Sequence, residues 1–436
     1  MPKLLACILL LVSAHFCTPK RVQPDALVLI RGCPRPTMLL HSLSPLRSAA
    51  FALAAITVIA LAKRLRVVSK TQPPASSVTG REGRASELVN QARAGCLEKV
   101  KRLLEAGADI DQRCPHNQST ALICAASRGS MDLVQYLLGR GANQHMTNDH
   151  NANAVRAALS FRHGRHLEVA RCLMQHCLTS YQGPVVVIHT SGKVASTTLS
   201  KSLSISYPTL PVYDVHFLGQ LPRMLKKHAE HGKRDQHLCV SSLLLELLDF
   251  DKHRVHVLSM VREPIGKALS NTFQSPDFIG VLDGEEISVD RIMEKLETLV
   301  TNHMGYVERW MAAEWAEFWG FAVFDAPFDR SRGCSEYTSP RGRMLVMHMA
   351  KLNQLGPEIE AFLGTAKGTL RIHDTNVAAA KPSAVKYALV RQRARFAPLF
   401  LRAVFSNDAV QHFFSAADIE ACSMGYAREV DPEGVM

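Results

Sequence analysis

Val185-Val186-Val187-Ile188-His189-Thr190-Ser191-Gly192-Lys193-Val194-Ala195-Ser196-Thr197-Thr198-Leu199 is the stretch on which the fold of this chain turns. Four branched apolar residues in a row, directly after Gly183-Pro184, read as a strand buried on both faces, as in a parallel sheet. Leu199 and Leu203 are four apart, the spacing of one helix face. The segment is therefore a strand, a loop of small residues and a helix N-terminus. Such a turn aims several backbone N–H groups and a helix dipole at one point, which suits a phosphate or sulfate. Lys193 adds a full positive charge, and the Ser and Thr hydroxyls add donors without bulk. A Walker A loop would need glycine at Val187 and Ser or Thr at Val194, so the loop is not of that type.

A second segment has the same logic. Val255–Val261 reads as another strand and runs into Arg262-Glu263-Pro264-Ile265-Gly266-Lys267-Ala268-Leu269-Ser270. Arginine at the carboxyl end of a parallel strand stands where open α/β sheets bind ligands. Pro264 suits the first turn of a helix, which brings Ser270 round two turns later. A surface ion pair between Arg262 and Glu263 is the plainer alternative.

Together the two segments resemble the nucleotide-binding signature of sulfotransferases that use 3′-phosphoadenosine 5′-phosphosulfate (PAPS). Lys193-Val194-Ala195-Ser196-Thr197-Thr198 is similar to the loop with which Golgi carbohydrate sulfotransferases hold the 5′-phosphosulfate. Arg262 and Ser270, eight apart, match the element that clasps the 3′-phosphate. A wider resemblance, to the sulfotransferase-like capsular polysaccharide synthesis family, covers most of residues 184–420. It is carried by Pro211–Phe217, by Trp310–Trp319 leading to Phe328-Asp329, and by Asn407–Ile419. Gly192 stands where that family often has proline, Glu263 replaces Asp, and Met and His occupy the late strand Met344–Met349 where charged residues are expected. The resemblance implies PAPS as co-substrate, a glycan acceptor and no metal. It assigns Gly192, Lys193, Val194, Ala195, Ser196, Thr197, Thr198, Arg262 and Ser270 to the nucleotide.

Sulfuryl transfer to a hydroxyl needs a group to take its proton. His216, at the end of the expected strand Val212–Phe217, is the first candidate, with His189 second and Asp214 third. Trp310, Trp315 and Trp319 are expected to be core, with a sugar platform as the alternative. Lys386–Val404 reads as one long basic helix.

Upstream, the chain repeats itself. Gly95 recurs as Gly129 and Gly164, and Leu103-Leu104 and Gly107-Ala108 recur 34 residues on as Leu137-Leu138 and Gly141-Ala142. Small Ala residues precede each glycine turn, which lets paired helices stack closely. The pattern resembles ankyrin repeats, with Ser119-Thr120-Ala121-Leu122-Ile123 at the start of one unit. About three units is near the minimum for such an array. The segment implies a protein partner, or else a structural extension of the following domain on which it docks.

The formal charge of +12 would ordinarily suggest nucleic acid or an anionic membrane. Its distribution removes nucleic acid, because residues 1–84 carry +10 and the remainder only +2. Lys3 with Leu4–Val12 resembles a secretory signal. The apolar run Ser48–Ala62, 15 residues between basic clusters, reads as a short single-pass Golgi-type anchor or as part of an organelle-targeting peptide. The 11 cysteines form neither a disulfide framework nor a zinc pattern, and His163, His166, Cys172, His176 and Cys177 match no known ligand spacing.

The chain is thus expected to be multidomain. A leader occupies 1–84, a short α-helical ankyrin-like stack 85–180, and a three-layer, P-loop-like α/β domain with a parallel sheet 184–425. A PAPS-dependent carbohydrate sulfotransferase is the leading expectation. The alternative is a non-catalytic interaction protein with a degenerate nucleotide-binding domain.

Overall fold

The computed structural model describes residues 81–160, 164–230, 235–274, 280–283, 286–373 and 383–427, all within one compact unit, Thr79–Met436. The expected signal, anchor and linker of the leader lie outside these residues. Among the described residues no helix is long and apolar enough to cross a membrane.

Six helices come first, in three pairs: α1 (Arg81–Ala94) with α2 (Leu97–Glu105), α3 (Ala121–Arg128) with α4 (Met131–Gly139), and α5 (Ala154–Leu159) with α6 (Gly164–Ser180). Local chemistry sets their ends. Thr120 caps α3 by accepting from the Ile123 amide, and Asn153 caps α5 by accepting from Arg156. Gly129 closes α3 in the left-handed region at φ 72°. Ala92, Ala125, Ala126 and Ala158 are fully buried, so the close stacking anticipated from small residues is present. The third pair departs from the repeat: α6 runs 17 residues and lends its apolar face to the next layer.

That layer is a five-stranded sheet in the order β2-β1-β3-β7-β6, formed by β1 (Val185–His189), β2 (Val212–Val215), β3 (Val255–Val261), β6 (Cys334–Ser339) and β7 (Gly342–His348). A two-residue ladder, β4 (Leu282–Asp283) with β5 (Glu286–Ile287), stands apart from it. β2, β1, β3 and β7 are parallel, but β6 pairs antiparallel with β7 through a tight turn, so the sheet is mixed and not purely parallel. A two-residue turn can only reverse the chain, whereas a parallel neighbour needs a long crossover.

Alternate strand residues face opposite ways into two apolar clusters. Val185, Val187, Val257 and Val346 join the cluster containing α6, α9 (Gln236–Leu247), α10 (Pro264–Thr272) and α12 (Leu296–Met311). Val186, Ile188, Leu258 and Leu345 face α7 (Ser196–Ser206) and α13 (Gly356–Leu363). The sheet is therefore the middle of three layers. α8 (Leu221–Glu230) follows β2, and α11 (Val289–Glu294) precedes α12.

Two element boundaries differ from expectation. β2 ends at Val215, which leaves His216 just beyond the strand. Lys386–Val404 is two helices, α14 (Ala384–Arg393) and α15 (Pro398–Phe405), because proline at 398 can open a helix but cannot sit inside one. The tail folds as α16 (Asp408–Phe413) and α17 (Ala416–Tyr426), the latter opened by a capping box from Ser415 and Asp418.

Candidate functional site

β1 sends its chain to β2 on one side, and the chain returns to β3 on the other. The carboxyl ends of β1 and β3 therefore flank a topological switch point, where sheets of this kind leave a crevice. The loop after β1 enters it with an unusual backbone. Gly192, Lys193 and Ala195 all have positive φ, at 80°, 58° and 66°. Only glycine takes that region freely, so Lys193 and Ala195 are held there under strain, as ligand-clasping backbone often is. Val194 between them is fully buried and pins the loop to the sheet. The Gly192 N–H donates to the Thr190 hydroxyl at 3.4 Å, which holds the start of this turn. Ala195 is then the N-cap of α7, whose first turn holds Ser196, Thr197 and Thr198.

The structure brings Arg262 to this loop. It leaves the end of β3, and its guanidinium donates to the Lys193 carbonyl at 3.1 Å. Lys193 itself reaches Gln274, just beyond the C-terminal end of α10. On α10, Lys267 is buried and donates to the Ser191 hydroxyl. Ser270 lies three residues beyond Lys267, on the same helix face and between the two contacts to the loop. Nine assigned nucleotide positions, from Gly192 to Thr198 with Arg262 and Ser270, therefore lie on two adjacent segments.

Lys267 was not anticipated, although its i, i+3 spacing from Ser270 marks it. Burial and then the neighbouring Arg262 lower its ammonium to about 7. Among the described residues it makes no ion pair with a carboxylate. Arg262, Lys267 and His303 line a pocket whose remaining walls are largely apolar, including Met304, Met311 and Phe413. Burial, reinforced by the two cations, drives His303 down to about 3, so it is neutral. Its Nε2 is buried and has no hydrogen-bond partner. This pocket thus gathers two cationic side chains and an unpartnered imidazole nitrogen, with Glu308 also in its wall and Glu263 beside Arg262.

His216 also meets the start of this loop. Its Nδ1 lies 2.9 Å from the Thr190 carbonyl, a contact that makes this nitrogen the donor and leaves the lone pair on Nε2. Nε2 faces Gly192, 3.9 Å from where a Cβ would stand. Burial, and then His237 beside it, lower His216 to about 4, so it is a neutral imidazole at physiological pH.

The other base candidates are otherwise engaged. His189 is fully buried: Trp319 donates to its Nδ1 at 2.8 Å, and its Nε2 lies 3.3 Å from Glu314. Asp214 is buried and pairs with Arg156 of α5 at 3.4 Å. Trp310, Trp315 and Trp319 are each 1% exposed and pack as core, which removes the sugar-platform alternative. Trp310 still serves the site, because its indole N–H donates to the His216 carbonyl at 2.6 Å.

Glu314 is the least anticipated residue. It sits on a π-helical turn, Ala312–Trp319, and accepts the amides of Leu218, Gly219 and Gln220 at 2.8–2.9 Å. Burial pushes its carboxyl up, but His189 and the amides outweigh that and hold it below its ordinary value. It thereby fixes the segment directly after His216.

Residues 88–138 match the family model for ankyrin repeats (many copies). No curated protein matches the chain. The first two helical pairs, over residues 88–138, thus match ankyrin repeats, a type of fold that presents surfaces to protein partners.

Proposed function

We propose that the α/β domain transfers a sulfuryl group from PAPS to a carbohydrate hydroxyl, with the ankyrin-repeat segment recruiting a protein partner. One observation carries this reading: the Lys193 loop and Arg262 meet at neighbouring strand ends, and the Lys267 ammonium is tied to the same loop through Ser191. Two anionic groups a nucleotide's length apart need such a distribution. A guanidinium suits the terminal 3′-phosphate as a fork donor, and compact ammonium groups suit the charge that develops on the leaving oxygen.

In the reaction, the bond between sulfur and the bridging oxygen breaks as the acceptor oxygen bonds to sulfur. The acceptor's proton passes to Nε2 of His216. The electron pair of the broken bond leaves on the 5′-phosphate and yields 3′-phosphoadenosine 5′-phosphate. Lys193 and the loop amides stabilise the phosphosulfate, Thr197 and Thr198 hold the 5′-phosphate, and Arg262 and Ser270 hold the 3′-phosphate. On this reading the leader anchors the enzyme at a Golgi membrane, facing its glycan acceptors.

Calorimetric titration of the full chain with 3′-phosphoadenosine 5′-phosphate tests the reading. Micromolar binding is expected, weakened at least tenfold by Arg262→Ala and by Lys193→Ala. Absence of binding, or binding indifferent to both substitutions, would leave the ankyrin segment as the working part and the α/β domain as a scaffold.

A further inference from the structure

Beside the crevice, three potential metal ligands converge from two elements. Asp214 is the third residue of β2, His216 follows the strand, and His237 lies in the first turn of α9. One ligand atom from each lies within 4.8 Å of the others. The two imidazoles stack with centroids 4.3 Å apart and planes 27° apart. Each ring's Nδ1 is set against a backbone carbonyl, His216 on Thr190 at 2.9 Å and His237 on Asp214 at 3.0 Å. That arrangement fixes ring orientation and leaves Nε2 as the coordinating nitrogen, as outer contacts to metal-bound histidines commonly do.

A second observation concerns Asp214 itself. Its side chain is 2% exposed; Oδ2 pairs with Arg156, while Oδ1 is buried without any hydrogen-bond partner. A buried carboxylate oxygen lacking a donor is costly, and a cation relieves the cost. Asp235, which caps α9 through the His237 amide, adds negative charge nearby.

We propose that Asp214, His216 and His237 bind one divalent cation of the zinc class, through two imidazole nitrogens and the unpartnered Asp214 oxygen. Two nitrogens, one carboxylate oxygen and a vacant fourth direction form a ligand set suited to borderline cations such as Zn²⁺ and Co²⁺, and poorly suited to Mg²⁺ or Ca²⁺. Tetrahedral bonds of about 2.0–2.1 Å place ligand atoms roughly 3.4 Å apart, so modest side-chain rotation closes the set. The cation joins β2 to the start of α9. It also takes the lone pair on His216, so on the transferase reading above its binding suppresses proton removal and inhibits transfer.

Titration of the metal-free full chain with Co²⁺, followed by visible absorption, and with Zn²⁺, followed by calorimetry, tests the site directly and without any assay of transfer. One equivalent with a tetrahedral Co²⁺ band is expected. His237→Ala and Asp214→Asn should each weaken binding by 100-fold or more, while Cys177→Ser, which alters the nearby Cys177–His145 contact, should leave it unchanged. His237 is at a helix start and partly exposed, so its replacement leaves the fold intact by circular dichroism. Binding of less than one equivalent, or loss of metal in Cys177→Ser but not in His237→Ala, would overturn the proposal. Nucleotide titration of the same samples separates this outcome from failure of the transferase reading.

Discussion

Lys267 concentrates the opposition between stability and ligand binding at the level of a single residue. Its folded-state value of about 7 lies below the ordinary lysine value near 10.4. Between those values the unfolded chain holds a proton that the folded chain lacks, so this group makes stability rise with pH from about 7 to about 10. Below pH 7 both states are charged, and the folded state bears the whole desolvation cost. Lys267→Met keeps the shape and removes that cost. It should raise Tm at pH 6 by several degrees, a gain that shrinks toward pH 10 and is read by thermal melts across pH. The same substitution should cut affinity for 3′-phosphoadenosine 5′-phosphate at least tenfold. In the unsubstituted protein that affinity should begin to fall as pH rises past about 7, by up to tenfold per unit, because the anion needs the protonated ammonium.

Glu314 makes the complementary case. Its carboxylate takes three amides of the segment after His216 and stands beside His189, all without solvent. Glu314→Gln keeps the volume but places an amide N–H₂ against backbone donors. A loss of about 1–3 kcal/mol is expected by denaturant unfolding, in the range of an unsatisfied buried donor. Neither residue was singled out from the sequence. Lys267 was legible in principle from helical spacing, whereas Glu314 was not, since its partners are 94–96 residues away.

At the scale of elements, the turn between α3 and α4 shows why one repeat glycine cannot be exchanged. Gly129 has φ 72°, and a Cβ there would stand 2.9 Å from the His166 ring of α6. The backbone strain alone is worth roughly 1–2 kcal/mol. Gly129→Ala should lower Tm by several degrees, and Gly107→Ala by less, because nothing lies within 4 Å of a Cβ at 107. Similar melting of the two variants would mean that the His166 contact carries no weight. Strands β1 and β3, the loop after β1 and the helix opened by Pro264 were all legible, because local composition dictates each. The antiparallel edge strand β6 was not. Its Cys-Ser-Glu-Tyr-Thr-Ser run has no continuous apolar face, and only its pairing with β7 makes it a strand.

Across the whole molecule, the repeats and one face of the sheet share a core. Leu173, Met174 and Leu178 of α6 belong to the same buried cluster as Val185, Tyr213 and Leu244. Around that seam, Arg171 pairs with Glu246, Arg156 with Asp214, and Gln236 donates to the Arg156 carbonyl at 3.1 Å. The last helical pair therefore completes the sheet's covering layer as well as the stack. Calorimetry of the full chain should show the described body melting in one transition. A chain beginning at 184 should expose the bared apolar face and bind a hydrophobic dye; a soluble, dye-silent, cooperatively folded product would show that the seam is dispensable.

By itself, the sequence determined the features written in neighbouring residues. These are the ankyrin period, the strand–loop–helix at 185–199, the arginine at the end of the second strand, and the separation of a basic leader from a nearly neutral body. Spacing and turn chemistry act over a few residues, so they can be read along the chain. Tertiary structure alone decided what depends on convergence. It sealed His189 and the three tryptophans in the core, and it set Lys267 against Ser191 of the loop with no ion pair among the described residues. It also gathered Asp214, His216 and His237 from positions up to 23 residues apart. Burial and mutual electrostatics are properties of that convergence, and they distinguish an available imidazole from a sealed one of the same residue type.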